Sequence, residues 1–317
     1  MKEDSHEHSM TPVSTWLDNA EICQEAIDAA GDLPSTNNAE FERFYTYLVV
    51  DEPIVQLMPG YFLPPWAEHS VQPETLRALA VTAKLENARN RWLDEMVDDH
   101  EAFVSLTSSQ ELNKAIVSLT NALYAAVLPR TLAADFFERL AMLYARHSLS
   151  LVLDGKRRTL LERPIALTDY EVHAKARHSS VRAPLDALLT LVEADEDQST
   201  RATDSWHAWG LGAQLYDDAL DIEEDFRQGI LTWTVSRTLE CFEGQVPEDS
   251  NEFYGVALQE GVVVQSLKRA EAHFTHAAEL ARSSFPRWTP VQHGCRRQAR
   301  ALREDYERLL VLEPSDH

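Results

Sequence analysis

Apolar side chains return along this chain every three or four residues, as in Ala115, Ile116, Leu119 and Leu123 and again in Leu185, Leu188, Leu189 and Val192. That interval gathers them on one face of a helix, because about 3.6 residues make a turn. The period-two alternation of a half-buried strand is nowhere sustained, so the predicted fold class is all-α. A helix is expected over 38–50 and another from Pro73-Glu74, where proline suits the first turn. Pro53, Pro59-Gly60 and Pro64-Pro65 break the chain between them. Ser108-Ser109-Gln110-Glu111 has capping-box spacing and would open a helix of about 17 residues. Asp154-Gly155 to Pro164 reads as a basic loop, and Ala194 to Thr203 as a polar, acidic connection. Gly229 should stop a helix, since glycine takes the left-handed terminating conformation without strain. Residues 252–283 and 291–311 read as two final helices. With no long linker and no solenoid repeat, the simplest organisation is one helical domain over 13–313. A polar tail, 1–12, expected to be disordered, precedes it, and a short tail, 314–317, follows.

Charge narrows the possible partners. The chain of 317 residues carries a net charge of −23, which repels phosphate backbones, so no nucleic acid is expected as partner. A bare diphosphate would be repelled equally, and an anionic substrate would need divalent cations as intermediaries. Cys23, Cys241 and Cys295 lie far apart without zinc spacing and read as reduced thiols of a cytoplasmic protein. Met1 to Thr11 lacks the apolar core of a secretory signal. No apolar stretch approaches the ~18 residues of a transmembrane segment.

The candidate chemistry is acidic. In Gly210-Leu-Gly-Ala-Gln214-Leu-Tyr-Asp217-Asp218-Ala-Leu-Asp221-Ile-Glu223-Glu224-Asp225-Phe-Arg-Gln-Gly229, a continuous helix would stack Asp217, Asp221 and Asp225 on one face, with Asp218 bordering it. Stacked like charges destabilise a helix, whereas a row of hard oxygen ligands suits Mg²⁺. The acids sit among Leu215, Tyr216, Leu220, Ile222 and Phe226, which implies a buried helix with its carboxylates turned into a cavity. A second cluster, Asp94-Glu95-Met-Val-Asp98-Asp99, again spaces Asp94 and Asp98 by one helical turn. By itself it is equally consistent with a solvated face.

Gln214-x-x-Asp217-Asp218-x-x-Asp221, preceded by Gly210, resembles the second aspartate-rich motif of trans-prenyl diphosphate synthases. Read on through Glu224-Asp225-x-Arg227-x-Gly229, it is also similar to the second motif of squalene and phytoene synthases. Asp94-Glu95-x-x-Asp98 resembles the first motif, with glutamate in place of a second aspartate. The resemblance implies the class I isoprenoid synthase fold, a single-domain helical bundle around a central apolar pocket. It also implies several Mg²⁺ ions, with Mn²⁺ as a substitute, between the motifs and a prenyl diphosphate substrate whose hydrocarbon enters the bundle. Asp94, Asp98, Asp217, Asp218 and Asp221 are the expected catalytic ligands, with Glu95 and Asp225 as further metal ligands. A homodimer is possible by analogy.

For the leaving diphosphate, Lys175 and Arg177 stand about 40 residues before Asp217, near the separation of the family's diphosphate-binding lysine or arginine. Arg227 occupies the Glu-Asp-x-Arg-x-Gly position, and Arg303 with Tyr306 could close over the diphosphate from the C-terminal segment. Lys156-Arg157-Arg158 is another basic cluster, and each of these bases has a plain solvated-face alternative. Trp92, Phe103, Tyr144, Trp206, Trp209, Tyr216 and Trp233 are candidates for lining a cation pocket, or ordinary core. His100, His147, His173, His178 and His207 read as structural or surface residues, with a general-base role in quenching a cation left open.

Three activities fit the resemblance. Chain elongation needs a second diphosphate site, which the family builds from a Gly-Lys-Arg segment and an Arg-Arg pair. Here the corresponding stretches offer a lone Arg43 and His100-Glu-Ala-Phe103, so elongation is disfavoured. The sequence favours a terpene synthase that ionises and cyclises one substrate, with head-to-head condensation as the alternative. Asn90 and Arg89, at the positions that cap the pocket in prenyl synthases, fit no simple chain-length rule. A non-catalytic partner subunit is the contrasting class. A buried stack of acids argues against it, being costly to keep without a ligand. A di-iron bundle would need two Glu-x-x-His pairs, and only Glu3-x-x-His6 is present.

Overall fold

The helical period carries through to the three-dimensional structure. The computed structural model describes residues 17–31, 33, 38–50, 52–98, 106–157, 165–242 and 247–312, and among them no strand occurs. The described helices are α1 (Asn19–Gly31), α2 (Asn38–Val49), α3 (Pro53–Gln56), α4 (Met58–Tyr61), α5 (Pro73–Asp98), α6 (Leu106–Val127), α7 (Arg130–Arg157), α8 (Leu167–Arg177), α9 (Ala183–Leu191), α10 (Glu196–Leu220), α11 (Ile222–Gln228), α12 (Trp233–Leu239), α13 (Ser250–Gln259), α14 (Val262–Ala281) and α15 (Trp288–Leu312). No described helix is long and apolar enough to cross a membrane. None of the three cysteines forms a disulfide.

Several boundaries differ from the expectation, each for a local reason. The Ser108–Glu111 box lies inside α6, which already runs from Leu106. The expected loop from Asp154 is helical to Arg157 at the end of α7, while Arg158 lies outside the described residues. The acidic connection 194–203 is instead the start of α10. Asp195 accepts from Gln198 N at 2.8 Å and Gln198 Oε1 accepts from Asp195 N at 3.1 Å, a reciprocal cap. The expected helix 252–283 is two helices, because Gly261 turns left-handed with φ of 68° between α13 and α14. The prolines at 53 and 59 do not merely interrupt; they sit in the first turns of the short helices α3 and α4.

The core positions two long acidic helices. α5 packs against α1, α2 and α6 on one side and α9 on another, and α10 lies along α14, which lies in turn along α15. One apolar cluster reaches from Leu17 to Ala299. A smaller one, around Ile222, Val235, Phe253 and Leu267, anchors α11 beneath its acids. There Phe226 stacks on Phe253 with centroids 3.8 Å apart. The segment predicted as one helix is bent at Asp221, which ends α10 and begins α11. Asp221 N still donates to Asp217 O at 2.9 Å, and Asp225 N to Asp221 O at 2.8 Å, so the acids keep their helical succession through the bend. Gly229, with φ of 72°, stops α11 as expected.

Close packing of α10 on α14 depends on Gly212. A Cβ there would stand 2.8 Å from the ring of Phe274. Gly212→Val is therefore expected to cost ~1–3 kcal/mol by overpacking. An unchanged urea midpoint would contradict this packing.

Candidate active site

Carboxylates 123 residues apart in sequence line one cavity of about 780 Å³. α5 contributes Asp94 and Glu95, α10 contributes Asp217 and Asp218, Asp221 stands at the bend, and α11 contributes Asp225. Asp217 and Asp221 are open to solvent, and Asp218 is buried. Asp98 ends α5, and its side chain lies outside the described residues. On the α5 side, Glu95 Oε2 accepts a hydrogen bond from Tyr47 of α2 at 3.0 Å. Desolvation and that bond push the Tyr47 hydroxyl up to about 12. Asp94 Oδ2 accepts from Arg177 Nη2 at 3.1 Å, which brings α8 to the cavity, while Asp94 Oδ1 is buried without a partner.

Asp218 is held from both sides. Its Oδ2 accepts from Tyr170 of α8 at 2.7 Å and its Oδ1 from Gln214 at 2.8 Å. Burial lifts its pKa to about 7 despite those bonds. Burial and the neighbouring Asp218, Asp221 and Asp217 lift Asp225 to about 8. Asp217 is raised by desolvation, and Asp221 by desolvation and by Asp217 and Glu224. Withdrawal from water is thus the main reason the carboxyls are raised, and neighbouring carboxylates add to it at Asp218, Asp221 and Asp225.

Cations are scarce here. Among the described residues, Arg91 and Arg177 supply the positive side chains of the cavity wall, and both pair with carboxylates, Arg91 with Glu52 and Arg177 with Asp94. The other expected diphosphate ligands stand elsewhere. Lys175 is exposed on α8 and is not part of the wall. Arg227 points to solvent and lies 3.5 Å from Glu224. Arg303 pairs with Glu271 and Glu307 at 2.6 Å each, tying α15 to α14, and Tyr306 accepts from the hydroxyl of Tyr254 at 3.3 Å.

The rest of the wall mixes apolar and polar side chains. Trp206, Trp209, Ala213 and Val181 line it, whereas Trp92 and Trp233 are core residues away from it. Tyr144 is in the core, bonded to Glu86 with the Arg89 guanidinium over its ring, and Phe103 and His100 lie outside the described residues. His178 lines the cavity, and burial with the adjacent Arg177 depresses its pKa to about 4, leaving a neutral imidazole. Asn87, Asn90, Arg91 and Asp94 share one face of α5, a periodicity visible in the sequence. Nothing near Tyr170 in the sequence announces its partner 48 residues on.

The donor set suits a divalent cation. Among the described residues, no three carboxylate, imidazole or thiolate groups converge on one point. Mg²⁺ rarely requires this, because it is commonly held by one or two carboxylates together with water and substrate phosphates. The unpartnered Asp94 Oδ1 and the mutually repelling acids opposite it have that chemistry.

No protein-family model and no curated protein sequence matches the chain. Its fold is nevertheless shared with solved trans-prenyl diphosphate synthases. The geranylgeranyl pyrophosphate synthetase of Pyrococcus horikoshii Ot3 superposes with a TM-score of 0.70 at 13% identity, over 90% of this chain and 97% of that one. The polyprenyl synthase of Caulobacter crescentus CB15, solved with calcium and isoprenyl diphosphate, gives 0.69 at 16% identity, over 90% and 97%. The decaprenyl diphosphate synthase of Rhodobacter capsulatus gives 0.69 at 15%, over 93% and 99%. The chain therefore has the all-α class I isoprenoid synthase fold.

The raised carboxylates make stability depend on pH. Their folded pKa values lie above the unfolded one, so the folded chain holds these protons more tightly, and stability is lost as pH rises through about 7 and about 8. Without divalent cations, the melting temperature should fall between roughly pH 6 and roughly pH 9. Asp225→Asn should flatten that fall, and Mg²⁺ should stabilise the native chain more at the higher pH. A melting temperature equal at both ends would contradict the crowding of charge.

Proposed function

We propose that this chain is an enzyme that binds a prenyl diphosphate with divalent cations, ionises it, and transfers the prenyl group to a second molecule. The observation that carries the reading is the single cavity lined by Asp94 and Arg177 on one side and Asp217, Asp218, Asp221 and Asp225 on the other. Bound Mg²⁺ would neutralise the diphosphate as a Lewis acid and make it a better leaving group. Asp94, Glu95 and Asp98 from α5, with the four aspartates of α10 and α11, would hold the ions. Tyr170 and Gln214 fix the orientation of Asp218 before any ligand arrives. Arg177, held at the mouth by Asp94, would take a diphosphate oxygen, and Arg91 is its counterpart on α5. Trp206, Trp209 and Val181 would receive the hydrocarbon, exclude water, and offer aromatic faces to an allylic cation.

Transfer leads because the similar solved structures are named as synthases of prenyl diphosphates. The sequence favours cyclisation of one substrate instead, and one feature of the cavity keeps that as the second reading. Both guanidinium groups of the described wall are already paired with carboxylates, which leaves little to hold a second diphosphate.

Mass analysis of products separates the two. The protein would be incubated with Mg²⁺ and geranyl, farnesyl or geranylgeranyl diphosphate, with and without isopentenyl diphosphate. Growth by one five-carbon unit only with isopentenyl diphosphate supports transfer. A product of unchanged carbon number supports cyclisation, a doubled one head-to-head condensation, and absence of diphosphate release from every substrate sinks the proposal. Asp94→Asn and Asp218→Asn should each cut turnover by orders of magnitude at unchanged helical content. Tyr170→Phe, which only frees an orienting bond, should cost about 10–100-fold. Full activity in all three variants would remove the site.

A further inference from the structure

With 52 acidic and 29 basic side chains in the sequence, a basic residue has ample acid to pair with. Arg146 of α7 and Lys175 of α8 stand apart from that supply. Both are exposed, and neither makes an ion pair or a hydrogen bond with another described residue. Lys175 is two residues from Arg177, which turns it about 200° around α8 from the side chain that reaches the cavity. The two cations therefore belong to the outer side of α8, away from the acidic mouth.

Contacts between α7 and the chain after α8 fix the place of Arg146. Arg139 Nη2 donates to Thr190 Oγ1 at 2.6 Å, and Ser179 Oγ donates to the Leu143 carbonyl at 2.9 Å. α7 thus runs antiparallel to the stretch from Ser179 to Thr190. Arg146, about one turn beyond Leu143, lies at the Arg182 end of that stretch. Its neighbour His147 has Nδ1 at 2.9 Å from the Arg177 carbonyl, at the end of α8 that carries Lys175. From the other side α10 brings His207, whose Nε2 accepts from Arg182 Nη1 at 3.2 Å. Burial, and after it Arg182, Lys175, His178 and Arg146, depress His207 to about 3, so its ring is neutral and in electrostatic reach of all three cations.

Two acids border this group, and both are engaged. Asp186 takes Arg182 through both oxygens, at 3.1 Å each. Glu171, one turn before Lys175 on α8, lies instead 3.9 Å from His273 of α14. With Arg182 balanced by Asp186, the charges of Arg146 and Lys175 remain without a counter-charge beside a neutral ring.

We propose that this junction of α7, α8 and α10 is a second anion site, separate from the acidic cavity, that takes a phosphate group of a soluble small molecule. A guanidinium fork matches a pair of phosphate oxygens, and an ammonium supplies a mobile point charge. Arg146 provides the fork and Lys175 the point charge, while Arg182 is fixed by Asp186 and His207. No divalent cation is needed here, in contrast to the mouth, whose carboxylates repel an anion that arrives alone. Lys175 keeps the phosphate-binding chemistry its sequence position suggests, at a different place. Through Arg177 and Tyr170 the same helix holds Asp94 and Asp218, so an anion bound behind α8 braces the helix that spans the mouth. The site stands independently of the reaction proposed above.

The test is a calorimetric titration of the full chain with inorganic diphosphate, at low salt and with a chelator present so that no divalent cation serves the mouth. Diphosphate is expected to bind, and Arg146→Gln and Lys175→Gln should each weaken it ~10-fold. Both positions are exposed, so the variants should melt with the unmodified chain. Succinate, whose charge is split between two separated carboxylates, should bind at least ~10-fold more weakly than diphosphate. Absence of binding, or an affinity unchanged in both variants, would overturn the inference. Binding lost in Arg91→Gln but kept in those two variants would place the anion at the mouth and overturn it as well. Equal affinity for succinate would overturn the assignment to phosphate. Because the titration contains neither metal nor prenyl substrate, its failure leaves the proposed reaction untouched, and absence of diphosphate release from prenyl substrates leaves this site untouched.

Discussion

Carboxylates that repel one another and are half withdrawn from water impose the governing constraint on this molecule. In bulk solvent Asp217, Asp218, Asp221 and Asp225 would ionise near pH 4 and interact weakly. Where the fold sets them, Asp218 moves to about 7 and Asp225 to about 8, so near neutrality both hold much of their proton, and their full negative charge develops only against the resistance of their surroundings. The described residues offset little of it, because the guanidinium groups of Arg91 and Arg177 are already engaged. Such an arrangement is stabilised by something positive from outside. The same imbalance that costs stability makes the cavity mouth receptive to divalent cations and, through them, to an anionic ligand.

The scaffold supports that imbalance by anchoring the acidic helices away from the acids. α10 is held along α14 by a glycine contact with Phe274, and α11 is fixed by the stacking of Phe226 on Phe253. The bend at Asp221 lets the apolar undersides of α10 and α11 reach two different core clusters while the carboxylates stay on the cavity side. α8 links the two acidic helices, with Arg177 bonded to Asp94 and Tyr170 to Asp218. Movement of α8 would therefore be felt at both sides of the mouth.

Below the mouth the chemistry changes from charge to shape. Trp206, Trp209 and Val181 make a surface that would shelter a reactive cation from water. A chamber anionic at its entrance and aromatic along its wall can read two parts of one ligand at once.

Much of this was legible in the chain alone. Apolar recurrence at three and four residues specified helices because side-chain direction along a helix is a local property, and Gly229 and the Pro73 start behaved as local rules predict. The acids of 214–229 announced themselves because their spacing and apolar surroundings make little sense on a solvated helix. The roles of the cations are less legible in the chain. Arg303 and Tyr306 stood at suggestive positions, yet Arg303 is engaged by Glu271 and Glu307, and Tyr306 by Tyr254, partners distant or unremarkable in sequence. Tyr170 and Arg91 gained their places only when α8 and α5 came to face α10. Sequence by itself determined the helices and the stock of carboxylates, since both follow from neighbours along the chain. Tertiary structure alone decided which charges meet, which are already paired and which polar atoms are left over, because those depend on helices that approach one another from distant parts of the chain.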